Sequence, residues 1–300
     1  MLNKYILSAL LLGTSAIVSA KQIEVVTTTS TLASIVEIVG GEYTSVASIC
    51  TGKQDPHHLQ ARPKYVMMAR NADLWIRTGM DLEIGWEMPV INGSRNRKIR
   101  AGQPGHLDTS EQIRKLEVPD AGMLSRAMGD VHAQGNPHYL LDPENAKIVA
   151  GVIAERLGML DPEHAEVYAA NAAAFGQKID RRMVDWKAQI EPFNGKSIVT
   201  YHKSWIYFTN RFGIDIAIEL EPKPGVPPSP SHLTQVEQTI RAQQIGIILQ
   251  EPWYSTKAAQ RVADKTNARI VIAPTDTGGD PDGDGYFELI DLIVNRITGN

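Results

Sequence analysis

Short β-branched runs alternate with helical stretches twice along this chain, once on each side of a segment, residues 161–190, that carries no strand signal. This alternation limits the fold more than any other feature. A strand, a helix and a second strand pair in parallel through a right-handed crossover, so each half predicts its own doubly wound α/β layer. Strands are predicted in the first half at residues 22–28, 44–50, 73–77 and 97–100. A helix runs from Ser30 until Gly40-Gly41 end it, and another covers 64–71 behind Pro63. The second half offers strands at 197–201, 214–220, 245–250 and 269–273, with helices at 205–212, 233–243, 256–266 and 286–297.

Between the halves, Asp161 suits an N-cap and Pro162 a first helical position. A continuous helix over 161–190 would be about 45 Å long at roughly 1.5 Å per residue. That is too long for an ordinary crossover and reads as a rigid strut. The alternative is a pair of helices broken at Gly176. The expected fold class is therefore α/β: two Rossmann-like lobes with central, mainly parallel sheets, joined by a long rigid linker helix. The N-terminal lobe is expected over 21–160, the linker over 161–190 and the C-terminal lobe over 191–300.

Residues 1–20 read as a signal peptide. Lys4 precedes an apolar run over 5–18, and Val18-Ser19-Ala20 forms a small-residue exit before Lys21. The run is short for a membrane span, and no cysteine at the cleavage point offers a lipid anchor. A mature protein free in the periplasm is expected, with a retained anchor as the alternative. The single cysteine, Cys50, excludes an intramolecular disulfide even in an oxidising compartment. A net charge of −4 lacks the basic face that nucleic acid requires.

His57, His138, His202 and Asp276 are side-chain types that bind borderline-soft divalent metals, and four of them can close a tetrahedral zinc site. Their spacing is far too wide for a local finger. His57 follows the strand over 44–50, His202 the strand over 197–201, and Asp276 the strand over 269–273, while His138 stands just ahead of a helix beginning near Asp142. Ligands in open α/β sheets bind beyond the carboxyl ends of strands. With two residues in each lobe, the natural meeting point is the cleft between lobes.

Four segments add a resemblance. The chain reads G-K-Q-D-P-H-H-L-Q-A-R-P from Gly52, N-P-H-Y-L-L-D-P from Asn136, V-T-Y-H-K-S-W from Val199 and Q-E-P-W from Gln250. In this order they resemble the metal-specific solute-binding proteins of ABC importers, a group of periplasmic zinc- and manganese-binding proteins. The resemblance covers essentially the whole mature chain. It implies that His57, His138, His202 and Asp276 are the metal ligands, that the cargo is Zn²⁺ with Mn²⁺ or iron as the alternative, and that the protein is not an enzyme. It also implies an ABC permease in the inner membrane as partner, with a metallochaperone as a further candidate and a monomer as the working unit. Manganese-type members commonly carry glutamate at the position of His202, so histidine there gives a zinc-type look. A nitrogen-rich donor set suits zinc on softness grounds as well. The long histidine-rich loop of many zinc-binding members is absent after His57, where only His58 follows.

Several residues compete with these four. His58 is adjacent to His57 and in extended chain points away from it. His132 is either an auxiliary ligand that captures metal from outside or a polar loop residue. Cys50 reads as a small buried hydrophobe, with a thiolate ligand as the alternative. Glu251 reads as a partner of a metal-bound imidazole rather than as a ligand. Asp280, Asp282, Asp284 and Gly285 spell the opening of a calcium loop with Asp291 at its twelfth position, but a glutamate is wanted there and no helix precedes it. The acidic loop is instead expected to be flexible and to let Asp276 swing onto the metal. A secreted zinc hydrolase is the rival from another class. It lacks H-E-x-x-H and offers only Glu251 as a base.

Overall fold

β1 (Ile23–Thr27) lies at the middle of a parallel sheet that the β-branched run predicts, and α1 (Ser30–Gly40) follows it directly. The computed structural model describes residues 21–119 and 132–299, so the signal-peptide reading of 1–20 lies outside the described residues. β2 (Thr44–Ser48), α2 (Pro63–Asn71), β3 (Leu74–Arg77), α3 (Glu87–Ser94) and β4 (His106–Asp108) complete the first lobe, with strand order β2-β1-β3-β4. Every pairing is parallel.

The strand expected over 97–100 is a turn. Asn96 makes it one: its side chain donates to the carbonyls of Ala69 and Ala72 and accepts from the Lys98 N–H, which bends the backbone away from the sheet. The fourth strand forms later, at His106–Asp108. Just before it the chain runs so close to neighbouring backbone that a side chain on Gly105 would meet the Asp73 carbonyl at 2.6 Å.

α4 (Pro143–Leu160) and α5 (Ala165–Ile190) come next. Asp161 does not cap the long helix as expected. Its carboxylate accepts from the Tyr168 hydroxyl and the His164 ring, and residues Pro162–His164 form a 3-10 turn ahead of α5. α5 then passes Gly176 unbroken. It is more than a strut, because it packs along α4 and also meets α1 and α9 (Tyr286–Thr298).

The second lobe repeats the first: β5 (Ser197–Thr200), α6 (Ile206–Phe212), β6 (Asp215–Glu219), α7 (Pro230–Gln243), β7 (Ile247–Gln250), α8 (Lys257–Thr266), β8 (Arg269–Ile272), then α9, with parallel order β6-β5-β7-β8. One hydrophobic core joins the lobes. Leu32 and Ile35 of α1, Phe175 and Trp186 of α5, Trp205, Phe208 of α6 and Ile290 of α9 are all buried in it. Each lobe keeps a smaller core of its own, around Trp75 and Trp86 in the first and Val236 and Ile248 in the second. The lobes are thus fused along the side of α5 and part only at their strand ends.

Candidate metal centre

His57 sits in the 3-10 turn Pro56–His58 that follows β2. Asp55 starts this turn by accepting the His57 N–H (2.9 Å) and also accepts from the His57 ring, Nδ1 to Oδ1 at 2.6 Å. Burial would raise the Asp55 carboxyl, but the bonds and charge of His57 outweigh it and hold the carboxyl well below the usual range. The other Asp55 oxygen accepts the Tyr254 hydroxyl of the second lobe at 3.1 Å.

His138 precedes the 3-10 turn Tyr139–Leu141 and α4, whose first N–H groups are capped by Asp142. Its N–H donates to Asn136 Oδ1 (3.0 Å), and Asn136 Nδ2 donates in turn to the Lys203 carbonyl (2.6 Å). That bond ties the His138 loop to the neighbour of His202 across the lobes. Nε2 of His138 is buried with no hydrogen-bond partner. Burial, then the neighbouring His57 and His202, push its pKa well below the ordinary histidine value, so the ring is neutral and its electron pair free.

His202 emerges at the end of β5 and is buried. Its Nδ1–H donates to Glu221 Oε2 at 2.8 Å. Burial opposes the imidazolium, yet the Glu221 bond and the charges of Glu251 and Glu221 raise the His202 pKa. The Asp55 and Glu221 bonds fix the tautomers of their histidines and leave Nε2 as the ligand atom of each ring.

The three rings converge. His57, His138 and His202 each offer a ligand atom, all within 4.8 Å of one another, the only such group among the described residues. Ring centroids stand 5.2 Å apart for His57 and His138, 5.3 Å for His57 and His202, and 5.9 Å for His138 and His202.

Asp276 is not brought into this group. It follows β8 into the cleft, but its Oδ1 accepts the Thr31 hydroxyl at the start of α1 (2.6 Å). Burial pushes its pKa up to about 6 against that bond. The loop after it is docked rather than flexible: Ser30 donates to the Thr277 carbonyl and the Thr277 N–H to Thr31. Gly52, at φ 75°, lets the two lobes touch here, since a Cβ on it would lie 2.1 Å from the Thr277 carbonyl oxygen.

The competing residues separate clearly. His58 is exposed. The Cys50 thiol is buried and pushed up to about 12 by that burial and by Asp276, which keeps it protonated and unfit as a ligand. No calcium loop forms: Asp280 pairs with Arg296, and Asp291 accepts from Arg182 and Trp186. Glu251 is buried beside His202 but does not bond the ring, and burial pushes its pKa up to about 7 against the pull of His202. The carboxylate that holds His202 is Glu221, to which sequence reasoning assigned no role. It lies just beyond β6, the strand beside β5, so strand order is the signal that could have found it.

Two like parallel-sheet lobes with polar side chains converging where their strand ends face one another define a two-lobed, cleft-binding α/β protein. The family model for ZnuA, "Zinc-uptake complex component A periplasmic", matches residues 25–299, and the chain belongs to that family. The High-affinity zinc uptake system protein ZnuA of Brucella abortus (strain 2308) is 34% identical over 161 residues, 53% of this chain and 48% of the relative. The chain thus matches about half the length of that relative. The Manganese ABC transporter substrate-binding lipoprotein PsaA of Streptococcus pneumoniae (serotype 4, strain ATCC BAA-334 / TIGR4) is 24% identical over 309 residues, 99% of this chain and 95% of the relative. A crystal structure of ZnuA has a TM-score of 0.78 at 21% identity, covering 93% of this chain and 99% of that one. The Mn-bound periplasmic metal binding protein from Candidatus Liberibacter asiaticus gives 0.76 at 22% identity over 93% and 99%. These likenesses establish the α/β fold with its two parallel-sheet lobes.

Proposed function

We propose that this chain is a periplasmic zinc receptor that captures Zn²⁺ between its lobes and delivers it to an ABC-type permease, without catalysing a reaction. The observation that carries this reading is the three-histidine convergence. Three imidazoles in a buried cleft suit zinc, whereas manganese prefers harder oxygen donors. In this reading His57, His138 and His202 bind the ion through Nε2, and Asp55 and Glu221 orient two of them and raise their basicity. Residues 21–160 and 191–300 act as the lobes, with 161–190 as their connection. Asp276, the fourth ligand that the resemblance implies, joins the set only when the Thr31 hydroxyl releases it.

Export as a periplasmic protein is supported by the signal-like residues 1–20 and by the family. Among the described residues no helix is long and apolar enough to cross a membrane. Capture and release need only deprotonated ligands and a small change at the cleft, because the shared core along α5 limits any swing. Competition titration of metal-free protein with zinc and manganese tests the reading. One zinc ion per chain is expected, bound at least about tenfold more tightly than manganese, as the softness of imidazole donors implies. Equal or preferred binding of manganese would contradict the zinc assignment.

A further inference from the structure

We propose that Tyr254 is a positioning residue that couples the two lobes: its hydroxyl, carried by the second lobe, holds the Asp55 carboxylate in the orientation that aims the His57 ring at the ion. The inference rests on the metal-receptor reading. Asp55 Oδ1 accepts from the His57 N–H (2.9 Å) and from ring Nδ1 (2.6 Å), while Oδ2 accepts from the Tyr254 hydroxyl at 3.1 Å. A carboxylate turns easily about its last bond, because that torsion has broad minima. Anchoring one oxygen leaves the plane of the group loosely set, and anchoring both fixes it. On its other edge, His57 Nε2 lies 3.0 Å from His132 Nε2, a contact that an ion bound at His57 Nε2 replaces. The Nδ1 side then sets the ring.

Tyr254 is itself held to the second lobe. Its ring stacks on Tyr201, with centroids 4.4 Å apart and planes 16° from parallel, and Tyr201 immediately precedes His202. The Tyr254 carbonyl accepts from Nε2 of the buried Gln250 at 2.9 Å, which ties the residue to the end of β7. The ring also stands 6.0 Å from that of His202. A chain of contacts thus runs from His57 through Asp55, Tyr254 and Tyr201 to His202. The histidine of one lobe is set by the frame that carries the histidine of the other.

Other bonds also cross between the lobes: Thr31 to Asp276, Ser30 to the Thr277 carbonyl and Asn136 to the Lys203 carbonyl. The Tyr254 bond differs from these in ending on a carboxylate that holds one of the converging imidazoles. At 3.1 Å it is longer than the about 2.5–2.7 Å of a tight hydroxyl–carboxylate pair, so it strengthens as the lobes draw together. The coupling is reciprocal: closure stiffens His57, and an ion on a well-aimed His57 favours closure. Loss of the hydroxyl therefore acts chiefly on release, as most changes in affinity do.

Stopped-flow release of zinc into a chelator, with zinc competition titration, tests this in the wild type, Tyr254→Phe, Asp55→Ala and the double variant. Phenylalanine keeps the ring and its stack on Tyr201, so metal-free Tyr254→Phe is expected to melt near the wild-type temperature. Its zinc affinity is expected to fall about three- to tenfold, the scale of one hydrogen bond, with release faster by a similar factor and capture unchanged. With Asp55→Ala already in place, adding Tyr254→Phe is expected to change neither affinity nor release. Wild-type affinity and release in Tyr254→Phe, or the same loss with and without Asp55, would overturn the inference and leave the receptor reading intact. A wild-type protein that binds no zinc would overturn that reading and this inference with it.

Discussion

The two lobes share one strand order, so they have equivalent crevices: one beyond β1 and β3, the other beyond β5 and β7. Each holds a fully buried glutamate whose carboxyl is pushed up chiefly by burial. Glu83, in the first lobe, accepts the Thr28 hydroxyl (2.7 Å) and the N–H groups of Thr78 and Gly79, and it pairs with Arg77. Glu251, in the second lobe, has neither oxygen in a strong hydrogen bond, and Ser204 and His202 stand beside it. One crevice is filled by its own polar groups. The other holds a carboxyl that lacks such partners, and there a histidine faces the cleft. The same topology thus yields a structural plug in one lobe and half of a candidate metal centre in the other, and the difference lies in the side chains at the strand ends.

Removing each carboxylate is the strongest way to break this comparison. Glu83→Ala is expected to cost about 3 kcal/mol, because two backbone N–H groups and the Thr28 hydroxyl lose their buried acceptor and Arg77 loses one of its carboxylate partners. Glu251→Gln should leave stability within about 1 kcal/mol of the wild type or raise it, since glutamine keeps the shape of a carboxyl whose charge burial already disfavours. Equal losses in chemical denaturation would erase the distinction between plug and site. Glu221→Gln sharpens the metal side. It removes the acceptor that fixes His202, so zinc affinity should fall about tenfold while the melting temperature stays near that of the wild type.

A smaller effect concerns pH. The Glu83 carboxyl is raised, so the folded state keeps that proton after the unfolded state has lost it. Its stabilising share is present below the ordinary carboxyl range and is lost as pH rises through the raised value. The melting-temperature advantage of metal-free wild type over Glu83→Gln should therefore shrink between about pH 5 and pH 8. An advantage that stays constant would assign any pH dependence to other groups.

Much of the fold was legible because β-branched runs at helix-separated spacing leave few pairings open. Seven of the eight expected strands form where the sequence suggested, and the exception, 97–100, failed on the hydrogen bonds of one asparagine side chain to distant carbonyls. α3 was missed because Pro89 and Gly93 break its pattern. His57 and His202 were legible because histidine beyond a strand end has few other uses, and His138 because it ends the N-P-H motif ahead of a helix. Asp276 was harder to read: its partner Thr31 belongs to the other lobe, and no local pattern announces that contact. Glu221 went unseen for a similar reason, since it meets His202 only once β6 pairs with β5.

The central claim is that histidines from both lobes hold one zinc ion, and His202 is the second lobe's share of the converging trio. Zinc competition titration of His202→Ala beside the wild type tests this most directly. The account predicts one zinc ion per wild-type chain and at least about tenfold weaker binding in the variant, the scale expected when a metal-site group is lost. Wild-type affinity in His202→Ala would contradict it.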